Sequence, residues 1–283
     1  MNVTGPAGVV VASCRRDLPV NAISIPALMR HVSASNYFIV VPSADLPAFR
    51  AALPGEVSLM AEESLITDWP LDRIAKALAP DFADRAGWYL QQFIKIEAVR
   101  RLAANAEALI WDGDTVPLRQ LDFKDPQDRI GFYVSRERYQ PYFDTARRVA
   151  GLERAIPQSF IAQCMYLRAR WVQALLDRIE QTTGREWIEA ILSALPGRCP
   201  SEFSEYETIG TFAMSEFRDG TFVNHRPWFR WGMAHFGGIQ SVTPAGLERL
   251  ARSYDFVALE SWDRGARAWL RGRVQRLADR VAR

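Results

Sequence analysis

The sequence predicts an α/β fold, a mostly parallel open sheet flanked by helices, with additional helices toward the C-terminus. Residues 9–13 form a β-branched run that leads into polar residues, and residues 37–41 form a second such run that stops at Pro42. Both patterns are typical of buried strands. The helical segment 20–31 lies between them, and this spacing of strand, helix and strand indicates a βαβ unit with parallel strands.

The rest of the chain continues the alternation of helices and strands. The remaining predicted helices cover residues 68–79, 87–104, 171–179, 187–195 and 262–283 and a segment that begins at Thr243, and the remaining predicted strands cover residues 108–111, 160–167 and 254–259. Residues 204–212 fit neither pattern. Residues 217–238 are rich in aromatic side chains, arginine and glycine, and we expect a structured loop region there.

The composition is that of an ordinary globular protein. Of the 283 residues, 48% are hydrophobic and 24% are charged, which excludes general disorder, and the net charge of +2 gives no nucleic-acid footprint. The three cysteines lack CxxC spacing, which argues against a disulfide framework or structural zinc and favours the cytoplasm. The first residues do not resemble a signal peptide, and no apolar stretch is long enough to span a membrane.

Two aspartates one residue apart, Asp112 and Asp114, follow the predicted strand 108–111. Ligands of open α/β sheets bind at the carboxyl ends of strands, and two carboxylates there cannot both enter a core unless they are paired or bound to metal. An Asp-Gly-Asp turn lets them converge on a hard divalent cation, Mn²⁺ or Mg²⁺, which can bridge a diphosphate. The alternative is an exposed Asp-Gly turn, which is common.

Three motifs occur together in this chain: GWxxQQ at residues 87–92, a strand bearing Asp-Gly-Asp at 110–114, and SEYExxG at residues 204–210. This set resembles the DUF6492 family, bacterial proteins of unassigned chemistry that look like glycosyltransferases. The resemblance runs from the first strand to Phe212 and implies a GT-A fold, a nucleotide-sugar donor and a divalent metal ion. The acceptor would be a glycan, a lipid or a small molecule.

No linker or internal repeat interrupts the sequence, so we expect a single domain over residues 1–283. Its nucleotide-binding half would cover residues 1–120 and its acceptor-side half residues 121–260. A C-terminal helix over residues 261–283 would follow.

The resemblance assigns the donor and metal roles to a few residues. Asp114 corresponds to the direct metal ligand, and Asp112 would contact the ribose, or the metal through water. Asp17 is expected to open on the same cleft as Asp114, because both follow strands. Gln92 and Lys95 share one helical face, from which Lys95 would pair with a donor phosphate. The alternative for both is a solvated helix face.

Residues 204–207 are predicted to line the acceptor side of the cleft. An inverting transferase needs a carboxylate that takes the proton of the acceptor hydroxyl, and Glu205 is the candidate for this general base. Ser204, Tyr206 and Glu207 would lie beside it. The alternative for Glu205 is an ion pair with one of the many arginines.

GT-A enzymes often complete the metal site with a histidine late in the chain. His235 precedes two glycines, where the backbone can approach a ligand closely, and we rank it above His225. The alternative for each is a structural histidine.

The C-terminal segment carries one apolar stripe, Trp269, Leu270, Val274, Leu277 and Val281, with arginines opposite. A basic amphipathic helix can lie on an anionic membrane, which would place a cytoplasmic protein at the inner membrane surface. The favoured interpretation is a helix that docks on the domain.

Two other functions remain open. Residues 112–116 also match the DxDx(T/V) signature of haloacid-dehalogenase-like phosphatases, in which the first aspartate is a nucleophile and the second a general acid. The structural context differs from that family, because a βαβ unit precedes the motif and Lys124 is the downstream lysine. The third interpretation is a nucleotide-sugar-binding protein without turnover.

Overall fold

A computed structural model of the chain describes residues 5–263 and 265–281. Its strands are β1 Gly8–Ala12, β2 Tyr37–Val41, β3 Ser58–Ala61, β4 Glu107–Trp111, β5 Thr115–Pro117, β6 Ile130–Tyr133, β7 Cys164–Arg168, β8 Thr221–Asn224 and β9 Phe256–Ala258. Its helices are α1 Leu18–His31, α2 Leu46–Ala52, α3 Glu62–Leu65, α4 Leu71–Ala77, α5 Ala86–Arg100, α6 Gln140–Ala150, α7 Ala169–Thr183, α8 Trp187–Ala194, α9 Glu205–Glu216, α10 Gly232–Phe236, α11 Pro244–Ala251 and α12 Ala266–Val281.

The central sheet has the strand order β3-β2-β1-β4-β7. β1 pairs in parallel with β2 on one side and with β4 on the other, so that Val9 lies between Tyr37 and Leu109. β2 and β3 are also parallel, whereas β7 runs antiparallel to β4. The predicted α/β fold with a mostly parallel open sheet and flanking helices is therefore confirmed.

Two small two-stranded ribbons form separately from the central sheet. β5 starts at Thr115, directly after the Asp-Gly-Asp segment, and pairs antiparallel with β9. β6 and β8 form the second ribbon. The first ribbon brings the chain after β9 next to Asp114, because the backbone N–H of Leu259 donates to the Asp114 carbonyl at 2.8 Å.

The apolar core forms two clusters. The larger one covers both faces of the central sheet and includes β1, β4, α5 and α7. The smaller one lies between α1, β5, β9, α10 and α11. In α1, Ile25 and Leu28 belong to the larger cluster, while Val20 and Ala27 belong to the smaller. The two clusters therefore share a helix.

Three segments differ from the sequence prediction. The strand expected at residues 160–167 begins only at Cys164, because Gln163 adopts a left-handed backbone conformation with φ of 66°. Residues 205–216 form a helix. The region 217–238 contains β8 and α10 besides its loops.

The C-terminal helix is present as α12. No helix of residues 5–263 and 265–281 is both long and apolar enough to cross a membrane.

Candidate functional site

The Asp-Gly-Asp segment is a tight turn anchored from α1. The Gly113 carbonyl accepts hydrogen bonds from Asn21 Nδ2, at 2.9 Å, and from the hydroxyl of Ser24, and both of these side chains are fully buried. A β-carbon on Gly113 would lie 2.9 Å from Asn21 Nδ2 and 3.1 Å from Val11, so the close approach of α1 requires glycine here. The turn thus fixes the positions of both aspartates.

Asp112 is held from the side of α5 and α9. Lys95 of α5 donates to Asp112 Oδ1, and the Tyr206 hydroxyl donates to the same oxygen at 2.9 Å. The Lys95 ammonium also donates to Glu205 Oε1 at 2.8 Å and lies 4.8 Å from the centre of the Tyr206 ring. The two carboxylates and the ring surround one buried cation.

The pKa values of this cluster follow from burial and charge. Burial alone would lower the pKa of Lys95, but the charges of Asp112 and Glu205 raise it above its usual value. Burial raises the pKa of Glu205, and the Lys95 ammonium opposes that rise. Burial and the neighbouring carboxylates raise the pKa of Tyr206 well above its usual value, so its phenol remains a donor.

Ser204 and Gln92 fix the start of α9. Ser204 is the N-cap, and its side chain accepts from the Glu207 backbone N–H. Gln92 Oε1 accepts from the Glu205 backbone N–H at 3.0 Å, while Gln92 Nε2 donates to the Trp88 carbonyl. Gln92 and Lys95 are each 2% exposed, so the solvated-face alternative is wrong for both. Both polar atoms of Gln92 bind the protein itself.

Asp114, the second aspartate of the turn, has a different environment from Asp112. Its Oδ1 is buried and has no hydrogen-bond partner among the described residues. Burial, Asp112 and Asp17 raise the pKa of Asp114 to about 7, and Lys95 opposes the rise. Asp17 is therefore close enough to act on Asp114 electrostatically, as the expected common cleft requires. The carboxylates of Asp112 and Asp17 therefore add negative charge around the unpaired Oδ1 of Asp114.

Sequence reasoning missed a second group of charges beside Asp114. Glu260, 7% exposed, follows β9, and Gln163 Nε2 donates to its Oε1 at 3.3 Å. Arg230 Nε lies 3.3 Å from Glu260 Oε2, outside hydrogen-bond geometry, and Arg230 Nη1 donates to Glu137 at 2.5 Å. The sequence signal that could have identified Glu260 is its position as an acidic residue directly after the predicted strand 254–259.

The environment of Glu260 connects it to the aspartates. Burial raises its pKa to about 8, Arg230 opposes the rise, and the charges of Asp114, Asp112 and Glu137 add to it. Glu260 therefore lies close enough to both aspartates of the turn to interact with them electrostatically. Its backbone neighbour Leu259 binds the Asp114 carbonyl directly.

Glu207 lies deeper in the molecule. The Ser159 hydroxyl donates to its Oε1, while Oε2 has no hydrogen-bond partner among the described residues. Burial raises the pKa of Glu207, and the bond from Ser159 opposes the rise. Glu207 is 2% exposed.

The structure does not bring His235 to the aspartates. His235 lies on α10, where its Nδ1 is 2.6 Å from Arg276 Nη1 and its ring packs edge-on against Phe229. Burial, Arg276 and Arg249 lower the pKa of His235. Two neighbouring guanidinium groups repel a metal cation, so His235 does not fit the metal role expected for it. His225 follows β8 directly and precedes Arg226.

The carboxylates of the turn fit a cation whose coordination shell is completed by a phosphate of the substrate. Within residues 5–263 and 265–281, no three His, Cys, Asp or Glu side chains are close enough together to hold a metal ion by themselves. Mg²⁺ in nucleotide sites typically takes one or two carboxylates and completes its shell with waters and substrate phosphates. The unpaired Oδ1 of Asp114 and the partly exposed carboxylate of Asp112 match that donor set.

The family model of DUF6492, a family of unknown function, matches residues 15–226 of the chain. The match contains all three motifs and confirms the family predicted from them, although it starts after β1. No curated protein matches the sequence.

Among solved structures, the fold is similar to three glycosyltransferases. The galactosyltransferase LgtC, solved with donor and acceptor sugar analogues, is 12% identical with a TM-score of 0.44, and 96% of this chain covers 95% of that one. The bifunctional glycosyltransferase WbbM is 14% identical with a TM-score of 0.46, and 91% of this chain covers 46% of WbbM. Mouse xyloside xylosyltransferase 1 is 11% identical with a TM-score of 0.43, and 92% of this chain covers 99% of it.

Proposed function

This chain belongs to the DUF6492 family, and we propose that it is a metal-dependent glycosyltransferase that moves a sugar from a nucleotide-sugar donor to an acceptor. The observation that carries the proposal is the unpaired, buried Oδ1 of Asp114 in a turn at the carboxyl end of β4, beside Asp112 and Asp17. This is the edge at which open α/β sheets bind ligands, and the surplus of negative charge there attracts a divalent cation.

Asp114 is the direct metal ligand in this proposal, with Asp112 contributing through water or through the ribose. The two aspartates would hold Mn²⁺ or Mg²⁺, which would supply positive charge to the diphosphate leaving group. The protein's part is to hold the carboxylates still. Lys95 and Tyr206 fix Asp112, while Asn21 and Ser24 fix the turn between the two aspartates.

Lys95 has a different role from the phosphate contact expected from sequence. Its side chain is 3% exposed and its ammonium already donates to Asp112 and Glu205, so it balances their charge within the protein. Gln92 likewise positions the start of α9 rather than touching the donor. Both residues therefore hold the donor site in place without contacting the donor.

Glu260 adds to the negative charge beside Asp114 and Asp112. It is 7% exposed and its Oε2 is buried, so in this proposal it acts through its charge and does not touch the acceptor. Arg230 and Gln163 orient it.

The phosphatase alternative is weaker. The phosphatase needs the downstream lysine, Lys124, near the aspartates. Lys124 instead pairs with Asp128 and with Glu107, and Glu107 lies at the amino end of β4, the end far from the aspartates. Asp112, the required nucleophile, is occupied by Lys95 and Tyr206. A binding protein without turnover remains the outcome to exclude by assay.

The first prediction tests the metal role of Asp114. Manganese should raise both the melting temperature of the protein and its affinity for a nucleoside diphosphate, because ligands that bind only the folded state stabilise it. Asp114→Asn should abolish the manganese effect and, in chelator, should be at least as stable as wild type, since it removes a buried charge without a partner. Asp112→Asn should reduce the manganese effect less but lower stability, because Lys95 loses one of its two anions.

Calorimetric titration and thermal unfolding, each with manganese and with chelator, measure these effects. Asp81→Asn is the matched control, an exposed aspartate away from the cleft. Equal nucleotide affinity with manganese and with chelator would refute the metal role. Metal-dependent release of the nucleotide from a nucleotide sugar separates an enzyme from a binding protein, and hydrolysis of simple phosphate esters instead would favour the phosphatase.

A further inference from the structure

The apolar stripe of α12 faces outward. Leu270, Val274 and Leu277 are 58%, 58% and 60% exposed, and Trp269 is 46% exposed. Trp262, just before the helix, is 57% exposed. Of the large apolar side chains exposed in the described part of the chain, Leu71 alone lies outside residues 262–277. A concentration of exposed apolar area on one element marks an interaction surface.

The helix docks on the molecule through its other side. Gly272 packs against Trp231 and Phe229, and a β-carbon there would lie 3.0 Å from Trp231 Cβ. Gln275 Nε2 donates to the Trp228 carbonyl at 2.8 Å, and Asp279 accepts from the Tyr254 hydroxyl at 3.0 Å. At 100° per residue these docking positions lie on the face opposite residues 270, 274 and 277. Docking and an exposed stripe are therefore compatible.

Arginines border the stripe on both sides. Arg267 and Arg271 lie on one flank and Arg273 on the other, and all three are exposed. Residues 264–283 contain seven arginines and one aspartate, a net charge of +6, so the preceding 263 residues carry −4 of the total of +2. An apolar stripe between two rows of arginine matches a surface that is apolar below and anionic above.

We propose that α12 binds the surface of an anionic lipid bilayer, lying in the interface with Leu270, Val274 and Leu277 toward the acyl chains. Its arginines then meet the lipid phosphates. The proposal does not depend on the sugar-transfer activity, since it rests on the exposed face of one helix. A neutral protein partner, or the same helix of a second copy of the chain, would cover the stripe but would leave the flanking charges unmatched.

The test is co-sedimentation of the full chain with vesicles. We expect binding to vesicles of phosphatidylglycerol and phosphatidylcholine, weak binding to phosphatidylcholine alone, and release by salt. The triple variant Arg267→Gln, Arg271→Gln, Arg273→Gln should lower the partition coefficient by roughly a hundredfold, since each basic residue at such a surface contributes about fivefold. Its control removes three exposed arginines elsewhere, Arg50→Gln, Arg170→Gln and Arg218→Gln, and should bind like wild type.

A second pair of variants isolates the apolar stripe. Leu270→Gln with Leu277→Gln should lower vesicle binding at least tenfold without changing thermal stability, because both side chains already contact solvent. Leu71→Gln, the exposed leucine outside α12, should have no effect. Equal binding to neutral and anionic vesicles, or no binding, overturns the proposal. So does a dimer in solution that Leu270→Gln dissociates, because the stripe would then be a contact between copies.

Discussion

The buried environment of Lys95 differs from the solvated one that its sequence context predicts. It sits in an amphipathic helix, where a lysine is usually solvated, yet it is 2% exposed and contacts Asp112, Glu205 and the Tyr206 ring. These partners lie 17, 110 and 111 positions along the chain. Helical periodicity indicates which face a side chain occupies, but it cannot show that two distant carboxylates meet it there. The charged network was therefore beyond prediction from spacing.

Glu205 lies beside Asp112 through their shared partner Lys95, and its surroundings favour an ion pair over the general base. A base needs access to the acceptor hydroxyl, and the Glu205 side chain is 4% exposed and bound to Lys95 at 2.8 Å. The sequence left both roles open. The structure supplies a lysine as the partner where an arginine was expected.

The prediction for Glu205→Gln follows from that pairing. It should lower the free energy of unfolding by about 1–3 kcal/mol, because Lys95 stays buried with one anion instead of two. Turnover per folded molecule should change only severalfold. Urea unfolding and donor-hydrolysis rates measure the two effects.

Glu207→Gln is the matched control on the same helix. It removes a buried charge whose Oε2 has no hydrogen-bond partner among the described residues, and it should not destabilise the protein. A loss of turnover of a hundredfold or more in Glu205→Gln, with unchanged stability, would instead support the general base.

Among the elements, α9 shows why residues 204–212 could not be assigned from sequence. Every residue from Glu205 to Ala213 is buried, and exposure begins only in the last turn, at Ser215 and Glu216, so most of the helix lacks the solvent face that would give its sequence an amphipathic period. By contrast β1 and β2 are recognisable as continuous β-branched runs that end at polar residues or at proline, and α5 as a long segment with apolar residues at helical spacing.

The glycine of the third motif has a packing explanation. Gly210 lies in the middle of α9, and a β-carbon on it would come within 2.3 Å of Phe160 Cγ. Phe160 is 1% exposed and stacks edge-on against Phe132, so its ring cannot move away. Phe160 belongs to the loop before β7 that carries Gln163. The contact thus holds α9 against the loop behind the Asp-Gly-Asp turn.

Gly210→Ala should therefore destabilise the protein, although alanine is the better helix former by about 1 kcal/mol. Overpacking against a fixed ring costs about 1–3 kcal/mol and decides the sign. Gly55→Ala is the control, because nothing lies within 4 Å of its β-carbon, and it should stay within about 0.5 kcal/mol of wild type. Chemical denaturation of both variants measures the difference, and a stabilised Gly210→Ala would contradict the packing explanation.

At the scale of the whole molecule, the two apolar clusters could act as separate units or as one. The elements they share argue for one unit. In β9, Phe256 and Ala258 belong to the larger cluster and Val257 to the smaller, and α1 is divided in the same way. Neither cluster can lose its packing while these shared elements keep theirs, because interiors are close-packed. We therefore propose that the single domain expected from the sequence is also a single cooperative unit.

Val257→Ala tests this coupling. Val257 is fully buried in the smaller cluster, and its truncation should lower the free energy of unfolding by about 2 kcal/mol. If the clusters are coupled, tryptophan fluorescence and far-ultraviolet circular dichroism should report one coincident transition in urea, shifted to lower urea with an unchanged slope. Val9→Ala, the same truncation at a fully buried site in the larger cluster, should shift the transition in the same manner. An early separate transition in Val257→Ala but not in Val9→Ala would show that the smaller cluster unfolds independently of the sheet that carries Asp114, and that the chain around Glu260 unfolds with it.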